Sequence, residues 1–188
     1  MGRSATDDAE AVRRARAGDQ DAYEVLVVRY TAPAHRAAYF FGAGSEAQDV
    51  VQDSFVKAYR ALDRFRPGAE FRPWLLRIVA NETRNAVRSR RRRGALAVRA
   101  LAIPPPTPEP DIVVSADESR RELLAAIRAL PERERLVVVC RYFLELSEDE
   151  TAQTLGLPRG TVKSRSSRGL ARLRERMRLP MSEEVPGA

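Results

Sequence analysis

The chain has 188 residues, 44% hydrophobic and 31% charged, with 33 basic against 26 acidic residues and a net charge of +7. That length suits one domain or two small ones, and the composition is that of a soluble globular protein. A basic balance of this size points to a polyanionic partner, foremost nucleic acid, with a solvated basic surface as the plain alternative. The single cysteine, Cys140, excludes an internal disulfide, and its setting in "RLVVVC" predicts a buried core thiol. No stretch approaches the ~20 apolar residues of a membrane span. The segment "MGRSATDDAEAV" has no apolar signal core, so a cytoplasmic protein without membrane insertion is expected.

Nearly every segment reads as helix, which predicts an all-α fold of two small helical domains. "TDDAEAVRRARAGD" is a short helix with an acidic first turn, Gly18 at its end and Asp19 capping the next. Tyr23, Leu26, Val27 and Tyr30 then repeat at i, i+3, i+4 and i+7, and Pro33 starts or kinks a segment ending near "FFGAG". Ser45, with Gln48 three residues on, predicts a capping box for a helix running to about Leu62. Its apolar face is Ala47, Val51, Phe55, Ala58 and Leu62; its outward side carries Asp49, Gln52, Asp53, Val56 and Arg60.

"DRFRPGAEFRP" is expected as a loop, with Pro73 in the first turn of a long helix from about Trp74 into "RSRRRR". Leu75, Ile78, Val79, Glu82 and Ala86 fall on one side of that helix, and Trp74, Arg77, Asn81, Arg84, Asn85 and Arg88 on the other. Asn reads base edges, Arg holds phosphate and Trp stacks on bases; Trp74 as a core residue is the alternative. Arg90 to Arg93 extend the basic track.

A composition break follows, with five prolines between Pro104 and Pro110, expected as an extended linker. The expected organisation is a first domain over 1–93, a linker over 94–115, a second domain over 116–178 and a tail over 179–188. In the second domain Leu123, Leu124, Ile127 and Leu130 form one face, and Leu136, Val137, Cys140 and Phe143 the next. Ser147 and Glu150 form a capping box, Gly156 suits a left-handed helix end, and Pro158 opens a basic helix. Helix, glycine turn and basic helix make a helix-turn-helix unit.

On the basic helix Val162, Ser166, Gly169, Leu170 and Leu173 share one arc, and Lys163, Ser164, Ser167 and Arg168 point the other way. Arg165 and Arg172 flank them on one side and Arg174 on the other. Small polar residues among basic ones let such a helix enter a major groove while its rim holds phosphates.

These three stretches, "DVVQDSFVKAYRAL", "FRPWLLRIVANETRN" and "LSEDETAQTLGLPRGTVKSRSSRGLARLRE", together resemble a bacterial RNA polymerase sigma factor of the extracytoplasmic-function (ECF) class, in the sigma-70 family. The likeness covers about Asp21 to Met177. It implies region 2 in the first half and region 4 in the second. By this resemblance Asp49, Gln52, Asp53 and Val56 would bind the clamp coiled coil of core polymerase, whose flap would engage region 4. The loop carrying Phe65, Phe71 and Arg72 would capture a flipped base of the −10 element. Trp74, Arg77, Asn81, Arg84, Asn85 and Arg88 would read that element's upstream part. Arg159, Thr161, Lys163, Ser164, Arg165, Ser167, Arg168 and Arg172 would serve the −35 element. An anti-sigma factor is an implied partner. Thr151 and Ser166 stand where the family has aliphatic residues, and Glu145 where it commonly has Gly; the first two should weaken region 4 packing.

A stand-alone helix-turn-helix regulator and an enzyme are the competing readings. His35 is the only histidine, and no phosphate loop, metal-ligand cluster or Ser-His-Asp set can be assembled. Asp49 and Asp53 lie at i, i+4 and could hold a metal, but carboxylates alone are weak evidence for one. No catalytic residue, metal or cofactor is therefore expected.

Overall fold

The computed structural model describes residues 2–66, 68–99 and 118–177, and the side chains of 7–66, 68–93 and 121–177. Eight α-helices and no strand occur among the described residues. The first half holds α1 (Gly2–Arg16), α2 (Gln20–Ala38), α3 (Ala47–Ala61) and α4 (Phe71–Arg99). The second half holds α5 (Glu118–Arg128), α6 (Glu132–Val138), α7 (Glu148–Leu155) and α8 (Arg159–Met177).

Local chemistry sets several of these boundaries. Gly18 takes a left-handed φ of 96°, and Asp19 caps α2 by accepting from the Ala22 amide at 3.1 Å. That bond, with Arg14 beside it, holds the Asp19 carboxyl below its ordinary value. Pro33 lies inside α2, which ends in a π-helical turn over Tyr39–Ala43. A second π-helical turn, Val139–Phe143, ends α6.

Three expectations are corrected. The Ser45–Gln48 capping box does not form, and α3 starts at Ala47 without a side-chain cap. The chain instead enters through Gly42 (φ 114°) and Gly44 (φ 61°) and a 3-10 turn, whose Gly44 carbonyl accepts from the Ala47 amide. The long helix starts at Phe71, so Phe71 and Arg72 are helical, not loop, and Pro73 falls in the first turn where no amide partner is needed. It also runs to Arg99, past the expected linker start at Gly94. The Pro-rich stretch and the tail lie outside the described residues.

The core of the first half is built from Leu26, Phe55, Ala58, Leu75 and Val79, all buried. α1 is latched over it: the buried Asp8 carboxylate accepts from the Arg29 guanidinium and the Tyr30 hydroxyl. Burial, then the hydrogen bond to Asp8 and its charge, pushes the Tyr30 phenol up, so it stays protonated and donates. In the second half α6 packs on α8 so closely that a Cβ on Gly169 would meet Val138 Cγ2 at 2.6 Å. Cys140 is fully buried there and burial pushes its thiol up, as expected of a core residue.

The two halves pack on each other along α4 and α7. The Thr154 hydroxyl donates to the Pro73 carbonyl at 3.4 Å, and the Arg72 guanidinium donates to the Leu144 carbonyl. At the two π-helical turns, Phe40 and Phe143 have ring centroids 5.1 Å apart. The Arg128 guanidinium sits 5.2 Å from the Tyr39 ring centroid and bonds its hydroxyl.

Candidate nucleic-acid and protein interfaces

α3 is amphipathic in the sense its sequence requires. Val50, Val51, Ser54, Phe55 and Ala58 are buried, while Asp49, Gln52, Asp53, Val56 and Arg60 face out. Neither Asp49 nor Asp53 has an ion-pair partner among the described residues. Val56 is 44% exposed and Tyr59 42%. Beside them α2 and α3 enclose a groove of about 730 Å³ lined by Tyr23, Val27, Phe55, Val56 and Tyr59 among others. The surface is therefore apolar in its hollow and acidic on its ridge. The sequence put Tyr23 on an apolar stripe and left Tyr59 unread, so neither was expected at this groove; their rings stand 4.9 Å apart, and an aromatic residue on the outward side of α3 was the available signal.

The α4 surface is assembled differently from expectation. Phe65 and Phe71 are 6% and 2% exposed, so in this conformation neither presents a ring to DNA. With half-buried Trp74 they form an aromatic wall, at centroid separations of 5.0 Å (Phe65–Trp74) and 5.5 Å (Phe71–Trp74). Arg72 is turned away to the Leu144 carbonyl. Arg77, Asn81, Asn85 and Arg88 are exposed, and half-buried Arg84 donates to the Asn81 side-chain oxygen Oδ1 at 2.7 Å.

The basic track is shorter than the sequence implies. Arg90 donates to the Gly42 and Ala43 carbonyls at 2.8 and 2.9 Å, and both Arg90 and Arg93 pair with Glu46. Arg90 satisfies the end of the π-helical turn and Arg93 is spent on Glu46; Arg91 and Arg92 remain exposed. Glu82 pairs with Lys57 across α3 and α4.

The α7–α8 unit follows its sequence signals closely. Ser147 accepts from the Glu150 amide at 3.1 Å, and the Glu150 carboxylate accepts from the Ser147 amide at 2.6 Å. Gly156 is left-handed (φ 65°, ψ 41°), and the Leu157 amide closes the turn on the Ala152 carbonyl at 3.0 Å. Val162, Gly169 and Leu173 are buried, while Lys163, Ser164, Ser167 and Arg168 face solvent. Thr161 and Arg165 are half-exposed. Arg159 pairs with Glu148 (3.2 Å) and Asp149 (3.4 Å), and Arg172 lies 2.9 Å from Glu134. Those two charges are partly neutralised, by α7 and α6 respectively, which leaves Lys163 and Arg168 as exposed cations without ion pairs at the centre of the basic face. Their side chains, with Ser164 and Ser167 between them, form a surface narrow and cationic enough for a DNA groove.

Comparison with known proteins decides what this pairing of surfaces belongs to. Residues 26–93 match Sigma-70 region 2, and residues 126–175 match Sigma-70 region 4. The ECF RNA polymerase sigma-E factor of Salmonella typhimurium is 35% identical over 167 residues, covering 84% of this chain and 87% of that protein. The chain belongs to the ECF sigma factors. RNA polymerase sigma factor NccH of Alcaligenes xylosoxydans xylosoxydans is 34% identical, covering 88% of this chain and 92% of that one.

The fold of this sigma factor has solved counterparts. CnrH in complex with the cytosolic domain of CnrY aligns with a TM-score of 0.69 at 30% identity, over 93% of this chain and 99% of that one. The sigma factor RpoE of Bartonella quintana, in complex with the anti-sigma factor NepR, aligns with a TM-score of 0.70 at 24% identity, over 85% and 98%. Region 2 of the sigma factor thus comprises α2, α3 and α4 from residue 26 onward, and region 4 comprises the end of α5 with α6, α7 and α8. No helix among the described residues is long and apolar enough to cross a membrane.

Proposed function

We propose that this sigma factor binds core RNA polymerase through the outward face of α3 and carries it to promoters, reading −10 DNA with α4 and −35 DNA with α8. The observation that carries the reading is charge segregation. In a chain of net charge +7, Asp49 and Asp53 stand without ion pairs beside an apolar groove, while Lys163 and Arg168 stand exposed and without ion pairs on the helix-turn-helix. An acidic, apolar-edged face repels DNA and suits a basic protein surface; the α8 face does the reverse. Asp49, Gln52, Asp53 and Val56 are the proposed polymerase contacts, on the clamp coiled coil, with the flap on region 4.

On α4, Trp74, Arg77, Asn81, Arg84, Asn85 and Arg88 are the proposed −10 readers, joined by Arg72 once it leaves Leu144. Phe65 and Phe71 act as the wall that holds Trp74 rather than as direct contacts. On α8, Lys163, Ser164, Ser167 and Arg168 are the proposed base-proximal residues, with Arg159, Thr161, Arg165 and Arg172 along the rim. The factor itself catalyses no reaction and works in the cytoplasm. An anti-sigma factor is the proposed regulator, supported by the CnrY domain bound to the 30% identical CnrH.

Run-off transcription from genomic DNA, with bacterial core polymerase and with or without this chain, tests the reading. Discrete transcripts that need the chain are the expected result. Failure to bind core polymerase would remove it.

A further inference from the structure

Several arginines of this chain are spent on partners of their own. Arg72 donates to the Leu144 carbonyl, Arg90 to the Gly42 and Ala43 carbonyls, Arg159 pairs with Glu148 and Arg172 with Glu134. Three others meet at one place. Arg84 of α4, Arg133 of α6 and Arg165 of α8 line a single cleft of about 310 Å³. None of the three has an ion pair among the described residues. Arg84 donates to the neutral Asn81 side chain at 2.7 Å, which leaves its charge uncompensated. Arg84 and Arg165 are half-buried, so water screens them less than it screens an exposed pair.

Like charges gathered around one hollow repel, and an anion between them removes that cost. Guanidinium forks match phosphate oxygens two at a time, so several around one cleft suit a group that carries more than one phosphate. The remaining wall has a different chemistry. Leu136, Leu155 and Leu157 make it apolar, which suits a base or sugar rather than a bare ion. Glu132 is the one acid in the lining and is exposed, so it stands at the rim. A carboxylate there repels phosphate but accepts from a ribose hydroxyl. Size agrees with this division. Small-molecule sites begin at about 300 Å³, whereas a DNA duplex is far too wide to enter such a cleft.

We propose that this cleft is a binding site for a nucleoside diphosphate or triphosphate. Its phosphates lie among Arg84, Arg133 and Arg165, its nucleoside lies against the leucines, and Glu132 holds the ribose. The walls come from both halves, so the ligand bridges α4 to α6 and α8. On the reading of α4 and α8 as promoter readers, the bound nucleotide also withholds Arg84 and Arg165 from DNA.

Calorimetric titration of the full chain tests the site, with ADP, AMP and inorganic pyrophosphate as probes, without magnesium. About 0.15 M salt shortens the Debye length to about 8 Å and suppresses loose attraction to a basic chain. Each probe is repeated on Arg84→Gln, Arg133→Gln and Arg165→Gln. Arg91→Gln and Arg176→Gln remove the same charge from exposed positions outside the cleft, one in each half. Melting temperatures check that every variant keeps its fold.

The expected result is one ADP per chain, with AMP and pyrophosphate each about tenfold weaker. Each cleft variant should weaken ADP about tenfold, and the two outside variants less than twofold. Absence of ADP binding up to millimolar concentration overturns the proposal. So does equal weakening by the outside variants, which would mean that the overall charge alone attracts the nucleotide. Loss in Arg165→Gln but not in Arg84→Gln would place the anion on one half and overturn the shared cleft. Pyrophosphate binding as tightly as ADP would overturn the nucleotide assignment. These titrations need neither polymerase nor promoter, so their failure leaves promoter reading standing, and failed run-off transcription leaves a measured nucleotide site standing.

Discussion

Region 2 and region 4 are made of the same kind of helix, yet their interiors close with different quality. In region 2 the buried hydroxyls of Ser54 and Thr83 return to carbonyls four residues back, at 2.6 and 2.9 Å, and the buried Asp8 of the overlying α1 has two donors. In region 4 the Thr151 hydroxyl is fully buried with no hydrogen-bond partner, as is the Arg135 Nε. Glu145 is held at φ 51°, the one left-handed non-glycine among the described residues. Gly169 leaves no room for a methyl group. Region 2, with α1 packed over it, therefore closes on satisfied polar groups, while region 4 is a strained, tightly fitted reader that gains partners for Thr154 and Leu144 from region 2.

The sharpest break of this comparison lies on the surface of region 2. Reversing Asp49 and Asp53 to Arg should lower run-off transcription by about a hundredfold, from like-charge contact worth several kcal/mol, while thermal melting stays unchanged. Next in size is Gly169→Val. It should cost region 4 up to about 3 kcal/mol through overpacking against Val138. Hydrogen exchange should show α6 and α8 opening first, while the fluorescence of Trp74, the sole tryptophan, still reports an intact region 2.

Two substitutions should repair region 4. Glu145→Gly relieves a left-handed residue and should add about 1 kcal/mol in urea unfolding. Thr151→Val keeps the shape and removes an unpaired buried hydroxyl, adding about 1 kcal/mol by the same measurement. If neither stabilises, the contrast between the regions is wrong. The smallest effect is acid sensitivity at the α2 cap. Because the folded Asp19 pKa lies below the unfolded one, its contribution is present above the ordinary carboxylate range and is lost as pH falls through the folded value. A stability profile from pH 6 to 2 should be flatter there in Asp19→Ala.

The sequence made the helix-turn-helix legible because its determinants are local. Ser147, Glu150 and Gly156 act within one turn of themselves, and so does Asp19. The inward and outward faces of α3 and α8 followed for the same reason. Residues whose fate depends on distant chain did not follow. Phe65 and Phe71 look like loop aromatics but are buried against Trp74 and Tyr30. Leu76 and Ala80 are buried although neither belongs to the inward arc read from the sequence. Arg90 and Arg93 look like a DNA track; instead Arg90 closes a helix end 47 residues upstream and Arg93 pairs with Glu46, contacts no spacing rule exposes. Ser45 and Gln48 had the right types for a cap, but left-handed glycines on the approach gave the backbone another route.

The latch made by α1 has a practical consequence for anyone cutting the protein into pieces. The segment matched to region 2 begins at residue 26, whereas Asp8, Ala11, Val12 and Ala15 are buried upstream of it. A recombinant fragment trimmed to the matched segment would strip the lid from Tyr30 and leave the Arg29 and Tyr30 donors without Asp8. Such a fragment should precipitate or melt early, and its poor behaviour would say nothing about promoter recognition. Fragments of this sigma factor should start at or before residue 2.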